Sequence, residues 1–326
     1  MIADREKGAA LLAVLLLVAV MAALAAVSME RLLLATRLAG NIAATDQARA
    51  FVSGAESLAI LRIDDLAARD DSRTTLAEDW MGTENILPLP DGGVATATVW
   101  DGANCFNLNS VVEGDGGTYT VRYPGVQQFT ALMVSLDIPQ GDAERIAEAL
   151  GDWIDTDQRS IAGAQEDIPY QQSETPYRAA NALVATPSEL RAIDGMTAEY
   201  YAAVRPWVCA LPEAGATPIN VNTLLEREAP LLAMLAPGQL TVDQAAQAIR
   251  QRPEGGWGDV TSFWASPAVA AIEVPPEAYQ QVDVRTVWFR LDLSIAYGGV
   301  DLQQSSTVDA RFRPARVVAR EWGRTE

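Results

Sequence analysis

The first part of the chain combines an apolar run with a long helical pattern. No charged residue interrupts residues 9–27. At 1.5 Å per residue, about 19 helical residues cover most of a hydrocarbon core of about 30 Å. From Ser28 to about Ala68, apolar residues recur at helical spacing among charged ones, and no proline occurs before Pro88. The pattern predicts one unbroken helix that begins in a membrane and continues beyond it.

The rest of the chain alternates between strand and helix patterns. Residues 93–102 alternate like a strand, and residues 104–117 look like a loop with glycine turns. Residues 124–264 are mostly helical with short connections, and residues 284–299 and 301–321 predict two strands joined by a Gly-Gly turn. The order predicts an α+β fold, in which the long helix packs on an antiparallel sheet that a large helical block interrupts.

Composition excludes several kinds of chemistry. The 326 residues contain no histidine, so Ser-His-Asp triads, Cys-His dyads and histidine metal sites are impossible. Lys7 is the single lysine, which excludes a lysine Schiff base in the folded body. The net charge of −19 disfavours contact with nucleic-acid phosphates, and the predicted helical hairpin at Asp194 and Gly195 is itself flanked by acids.

The N-terminal residues decide how the chain meets the membrane. Arg5 and Lys7 precede the apolar run, which predicts that the short N-terminal side stays in the cytoplasm. Three interpretations compete: a cleaved signal peptide with a site near Ala23–Ala26, an ordinary single-pass anchor, and a prepilin-like leader cut after Gly8. The long helix beyond the apolar run favours the leader, because a cleaved signal peptide has no need of such a continuation.

The leader carries a family resemblance. Basic residues, Gly8 and the run AALLAVLLLVAVMAALA resemble the leader of type IV pilins and type II secretion pseudopilins. Most of those subunits have glutamate as the fifth residue after the cut, where this chain has Ala13, and the minor pseudopilin K family also lacks it. The segments NCFNLNS, GDWIDTDQ, YRAANALVATPSELRAIDGM and PINVNTL resemble that family in the same order. The resemblance covers nearly the whole chain.

The resemblance implies a fold and a domain order. The fold is α+β, with a long N-terminal transmembrane helix and a pilin-like antiparallel sheet head that carries an inserted all-helical domain of SAM-like, helix-hairpin-helix-like units. The implied domains are a leader (1–8), a transmembrane part (9–29), the helix continuation with the first part of the head (30–103), two helical units (104–218 and 219–280) and the C-terminal strands of the head (281–326).

The resemblance also implies a function without turnover. Prepilin peptidase would cut after Gly8 and methylate Ala9. The subunit would sit in the bacterial inner membrane with its head in the periplasm, and would start and cap the secretion pseudopilus together with the I and J minor pseudopilins and the other pseudopilins. No nucleic acid and no small-molecule substrate are expected. The contacts with partner helices are expected from the apolar stripe formed by Leu32, Leu33, Ile42, Phe51 and Leu58.

Two other functions remain open from the sequence. One is a minor pilin of a type IV pilus or a DNA-uptake machine. The other is a membrane-anchored periplasmic calcium-binding domain that forms no filament and keeps an uncut N-terminus.

A cluster of acids after a predicted helix suggests a metal site. Asp155 and Asp157 alternate on a predicted loop, Gly163 permits a sharp turn, and Glu166 follows. Such oxygen ligands suit Ca²⁺ better than Mg²⁺, which retains more water. Two alternatives need no metal: the acids cap a helix and cover the surface, or Asp155 and Glu166 form a catalytic carboxylate pair, for which the sequence shows no recognisable substrate cleft. The resemblance implies calcium, with the candidate ligands Asp152, Asp155, Asp157, Glu166, Asp167 and Asn181.

The two cysteines, Cys105 and Cys209, cannot complete a cysteine-only zinc site. On residues alone they are either a disulfide in an exported body or two buried free thiols. The resemblance implies that they pair.

Overall fold

One helix accounts for the first fifth of the chain. In the computed structural model, which describes residues 2–161, 163, 166–172 and 175–323, with side chains from residue 10 onward, α1 spans Ile2–Arg69. The predicted long helix is therefore confirmed. A buried stripe at helical spacing, formed by Ala48, Val52, Ala59, Ile63 and Ala67, shows which face of α1 packs on the rest of the protein.

Two strands follow α1, namely β1 (Asn85–Pro88) and β2 (Val94–Asp101). The chain then enters a helical block made of two consecutive units. The elements of the first unit are β3 (Phe106–Asn107), β4 (Val112–Asp115), β5 (Thr118–Val121), α2 (Tyr123–Ser135), α3 (Gln140–Ile154), α4 (Asp167–Gln171), α5 (Ala198–Val204) and β6 (Val208–Cys209). The elements of the second unit are β7 (Ile219–Asn220), α6 (Ala229–Ala233), α7 (Val242–Arg250), α8 (Val260–Trp264), α9 (Pro276–Gln280) and β8 (Val282–Asp283).

The chain returns from the block to complete the main sheet. Three strands end the described chain: β9 (Trp288–Tyr297), β10 (Val300–Asp309) and β11 (Arg316–Trp322). The strand order is β1-β2-β9-β10-β11, and all neighbours are antiparallel. Since β2 and β9 are adjacent in the sheet, the whole helical block is an insertion between two neighbouring strands, and the predicted α+β fold is confirmed.

The sheet packs its apolar face on α1. Along β9, Phe289, Leu291, Leu293 and Ile295 are fully buried, while the residues between them are less buried. Period-two burial of this kind is what a half-covered antiparallel strand requires. Burying each of these side chains contributes about 1.5–3 kcal/mol, so contact with the sheet holds the C-terminal part of α1, from about Ala48 onward, in place.

One carboxylate lies within the buried stripe of α1. Glu56 accepts hydrogen bonds from Gln304 (2.7 Å), Ser306 (3.1 Å) and both Nε and Nη2 of Arg320 (2.9 and 2.7 Å). Burial alone would raise the pKa of Glu56, but Arg320 and the two other donors hold it below its usual value. The bonds connect α1 to β10 and β11 and fix how far along the sheet the helix lies.

The block leaves the sheet at the end farthest from the apolar segment of α1. Asp101, at the end of β2, is paired with Phe289, and the N–H of Ala315 donates to Asp64 near the end of α1 (2.8 Å). The opposite end of β9 places Tyr297 against Phe51, with ring centroids 5.0 Å apart. Both connections to the block therefore lie near the C-terminal end of α1, and the block stands beyond the end of the helix.

The strand predictions need three corrections. Residues 301–321 were expected to form one strand, but β10 and β11 are separated by a turn at residues 310–315 that contains Pro314. Residues 104–117 were expected to be a loop, but they contain β3, β4 and the turn that leads to β5. The short strand β1 had no prediction at all; its residues are all exposed, so they lack the alternation that reveals a half-buried strand.

Candidate calcium site and partner surfaces

The predicted acidic cluster forms where helix α3 ends. The N–H of Asp155 still donates to Gly151 O (3.0 Å), but Asp155 itself has extended dihedral angles (φ −63°, ψ 169°), so the chain turns away from the helix axis there. Glu166 stands immediately before α4. One carboxylate oxygen each from Asp155, Asp157 and Glu166 lies within 4.8 Å of the others. The structure thus brings three of the six predicted ligands together.

Two of these carboxylates are buried without sufficient polar contact. Asp155 and Glu166 are 3% and 5% exposed, whereas Asp157 is exposed. Among the described residues, Asp155 Oδ1 and Glu166 Oε1 are buried oxygens without a hydrogen-bond partner. Buried carboxylate oxygens are costly unless a donor or a cation satisfies them. The donor set, three carboxylates within reach of one point, fits a hard divalent cation.

The electrostatics of the cluster lead to the same conclusion. Burial, together with the neighbouring carboxylates of Asp157 and Asp152, raises the pKa of Asp155 to about 7. Burial, together with the neighbouring carboxylates of Asp155 and Asp152, raises the pKa of Glu166 to about 8. The cluster therefore concentrates negative charge in a poorly solvated place, and a bound cation would relieve both the burial cost and the mutual repulsion.

The other three predicted ligands bond to the backbone around the cluster. Asp152 accepts from the N–H of Ile161 (2.8 Å), and Asp167 accepts from the N–H of Ala179 (3.2 Å). Asn181 donates from its backbone to Trp153 O (2.9 Å) and from its side chain to Asp157 O (3.2 Å). These bonds close the acidic loop onto the end of α3. Glu166, Asp167 and Asn181 also line one surface cavity of about 260 Å³.

An aromatic wall beside the acids was missed from the sequence. The ring of Trp153 meets Tyr170 and Tyr177 edge-on, with centroids 5.2 and 6.1 Å apart, and the two tyrosine rings lie 5.3 Å from each other. The three residues come from the end of α3, from α4 and from the returning loop. Spacing along the chain gave no signal of this cluster, because only the folded loop brings the rings together.

The predicted disulfide is confirmed. Cys105 and Cys209 are bonded across 104 positions, with Cα atoms 5.8 Å apart. Cys209 belongs to β6, which pairs in parallel with β3. The bond therefore ties the start of the first helical unit to its end.

The predicted partner surface lies along α1. Leu32, Leu33, Ile42 and Leu58 are all at least half exposed. Phe51 differs, because its ring is half-buried against Tyr297 of the same chain. Gly8 and Ala9 lie in the helical backbone of α1, where side chains are outside the described part of the structure.

The apolar part of α1 passes a simple test for a membrane span. Within the described residues, one helix is long and apolar enough to cross a bilayer, over Ala10–Arg69, with a mean hydropathy of 3.0 in its most apolar window. None of that window is buried by the rest of the chain. The helix is consistent with a single-pass anchor.

Family models match the helical block. Two models match, both described as "Type II secretion system (T2SS), protein K", one over residues 104–213 and the other over residues 219–285. The matched ranges correspond to the two helical units.

Similar proteins cover nearly the whole chain. A type II secretion system protein K from Pectobacterium carotovorum is 34% identical over 98% of this chain and 97% of its own length. A protein of the same name from Klebsiella pneumoniae is also 34% identical, with the same coverage. In the crystal structure of the GspK-GspI-GspJ complex from enterotoxigenic Escherichia coli, one chain matches with a TM-score of 0.73 and 31% identity, over 86% of this chain and 96% of that chain.

Proposed function

Because this chain belongs to the protein K family of type II secretion systems, we propose that this minor pseudopilin occupies the tip of the pseudopilus. There it starts and caps the filament together with the I and J minor pseudopilins. The observation that carries the proposal is the match to a chain of the GspK-GspI-GspJ complex over 86% of the present chain. The work is structural and needs no catalytic turnover.

The position of the helical block supports capping. The block stands beyond the C-terminal end of α1, where the links at Asp101 and Trp288 leave the sheet. A subunit stacked above this one would have to pack its own helix and sheet into the space that the block occupies. At the other end, Ala13 offers no carboxylate to pair with the N-terminal amine of a subunit already in place. Both features favour a first position in the filament.

The exposed apolar face of α1 gives this proposal a direct test. We expect Leu58→Arg, on a side chain that is 57% exposed and lies away from the buried stripe, to weaken assembly with full-length I and J pseudopilins at least tenfold, because a guanidinium would be buried between helices. The measurement is co-purification of the three chains from detergent-solubilised membranes.

A matched variant separates this effect from a general loss of solubility. Val242→Arg places the same charge on α7 of the helical block, at a side chain that is 36% exposed, and should leave assembly unchanged. Wild-type levels of complex with Leu58→Arg would remove α1 from the interface. Failure of the wild-type chain to join I and J would overturn the tip proposal itself.

Processing at the N-terminus is the second part of the proposal. We expect prepilin peptidase to cut between Gly8 and Ala9 and to methylate the new N-terminus, which leaves a head in the periplasm and an anchor in the inner membrane. Intact mass and N-terminal sequencing of the membrane protein should find methylated Ala9, and the full chain should accumulate in cells with inactive peptidase. A chain that starts at Met1 in both strains would contradict the proposal.

The acidic cluster is proposed to hold Ca²⁺. Asp155, Asp157 and Glu166 would supply carboxylate oxygens, and Asp152, Asp167, Asn181 and backbone carbonyls are candidates for the remaining positions. What supports this is the pair of unpartnered buried oxygens, one on Asp155 and one on Glu166. The ion would neutralise the crowded carboxylates and fix the loop between α3 and α5, so its role is structural.

A further inference from the structure

The two helical units begin with the same six-residue pattern. Phe106–Val111 reads F-N-L-N-S-V, and Ile219–Leu224 reads I-N-V-N-T-L. The first two residues of each pattern form a parallel pair with the last strand of the same unit, in the same register. Phe106 and Asn107 pair with Val208 and Cys209, and Ile219 and Asn220 pair with Val282 and Asp283.

The second asparagine of each pattern makes the same three bonds. Asn109 Oδ1 accepts from the N–H of Val184 (2.8 Å), and its Nδ2 donates to Val184 O (3.0 Å) and Leu211 O (2.8 Å). Asn222 Oδ1 accepts from the N–H of Trp257 (2.6 Å), and its Nδ2 donates to Trp257 O (3.0 Å) and Val284 O (3.4 Å). Each fully buried amide thus holds one distant residue by both of its backbone groups.

The first asparagines and the following helix starts also correspond. Asn107 Oδ1 and Asn220 Oδ1 each accept from the backbone N–H of the second asparagine, at 3.2 and 2.9 Å. Three residues after the held residue, a short helix begins in both units, at Pro187 and at Val260. The N–H of Thr186 donates to Glu189 and the N–H of Asp259 donates to Ser262, in each case three residues further on.

We propose that Asn109 and Asn222 are equivalent positioning residues, each of which closes only its own helical unit. The sequence pattern, the strand register and the bond pattern agree, although the rest of the two units differs in length and helix content. The side-chain amide takes the place of a strand partner, because the held residues Val184 and Trp257 lie outside regular secondary structure.

The acidic loop lies in a segment that is much longer in the first unit than in the second. In the second unit, only residues 251–256 separate α7 from Trp257, whereas residues 155–183 separate α3 from Val184. The longer segment contains Asp155, Asp157 and Glu166, and it returns through Asn181, which bonds to Trp153 O shortly before Val184. We therefore expect cation binding to steady the Asn109 contact and not the Asn222 contact, a consequence that rests on the proposed calcium site.

Hydrogen exchange of the full chain in detergent micelles, resolved by mass spectrometry, tests the assignment. Asn109→Ala should speed exchange at Val184 and in residues 155–183 by at least about tenfold, because three buried bonds are lost, while the peptide that contains Trp257 stays protected. Asn222→Ala should do the reverse. The two variants are matched controls for each other. Equal loss of protection in both units from either variant would overturn the assignment.

Wild-type protein supplies two further arms. In the wild type, the Val184 and Trp257 amides should exchange at least about a hundredfold more slowly than free peptide, and rates near those of free peptide would overturn the positioning role. This measurement needs no variant, so it stands even if Asn109→Ala or Asn222→Ala fails to fold. Adding a chelator should speed exchange in residues 155–184 but not at Trp257. If the chelator changes nothing while the two variants remain unit-selective, the calcium site is wrong and the paired units stand.

Discussion

Replacing both Cys105 and Cys209 with serine should lower the melting temperature by roughly 5–10 °C. The disulfide closes a loop of 104 positions that contains the entire first helical unit. In the loop-entropy description, such a closure contributes at most about 4.7 kcal/mol for about 100 residues, by reducing the freedom of the unfolded chain. The structure gives the bond a local role as well, since Cys209 belongs to β6, which forms a two-stranded sheet with β3.

Thermal unfolding with and without reductant checks this expectation. The oxidised wild-type chain should melt higher than the double serine variant, and reductant should bring the wild type down to the level of the variant while leaving the variant unchanged. If the variant has the same melting temperature as the oxidised wild type, the expectation is wrong, and β3, β6 and the surrounding core already restrict the chain as strongly as the bond does. Because the described residues form more than one separate hydrophobic core, unfolding need not be two-state, and the comparison uses observed melting temperatures rather than a two-state free energy.

The sequence was most informative where one pattern runs without interruption. The helix α1 was predictable because apolar spacing continues through Ala48, Val52 and Ile63 without a proline. The strand β2 was predictable because alternation and flanking glycines agree. In contrast, the turn between β10 and β11 sits inside a run of strand-forming and basic residues and was not predicted. The pairing of these two strands also shifts register next to Thr307, which only the folded sheet defines.

The candidate site shows the same division between local and long-range information. The closeness of Asp155 and Asp157 was predictable, because alternating acids after a helix end lie on one local loop. The joining of Glu166 to them was expected from the Gly163 turn and from the resemblance, and in the structure it depends on the chain turning back towards α3 just before α4. The backbone partners of Asp152, Asp167 and Asn181 could not be predicted, because each lies at least nine residues away along the chain.

The paired asparagines show what sequence inspection can overlook. Asn107 and Asn109 were interpreted as loop residues, since asparagine is common in turns. Their bonds to Val184 and Leu211 join positions that are distant in sequence, so no local pattern announces them. The signal that could have found them is the internal repeat of F-N-L-N-S-V as I-N-V-N-T-L, which is visible once the two units are aligned on their first strands.

Neutralising Asp155 and Asp157 together should lower the stability of the protein when Ca²⁺ is present, but should leave it unchanged or raise it when Ca²⁺ is removed. In excess calcium, the wild-type chain gains about 2.7 kcal/mol when the ion is at a hundred times its dissociation constant, and Asp155→Asn with Asp157→Asn should abolish that gain. In chelator, the same double variant should melt at or above the wild type, because it removes like charges that lie within 4.8 Å of each other. Asparagine keeps an acceptor for the N–H of Arg159, which now donates to Asp157 (2.6 Å).

Comparing the double variant with the wild type in calcium and in chelator separates a metal site from a merely structural cluster. Asp137→Asn, an exposed carboxylate just before α3, is the matched control and should respond to calcium as the wild type does. Melting curves in calcium and in chelator, together with calorimetric titration of Ca²⁺, give the result. If the double variant loses the same stability in both conditions, the acids serve as caps and loop contacts. If the wild type neither binds calcium nor melts higher with it, the calcium site is refuted. The unpartnered oxygens of Asp155 and Glu166 would then be a net energetic cost that the fold carries at the end of α3.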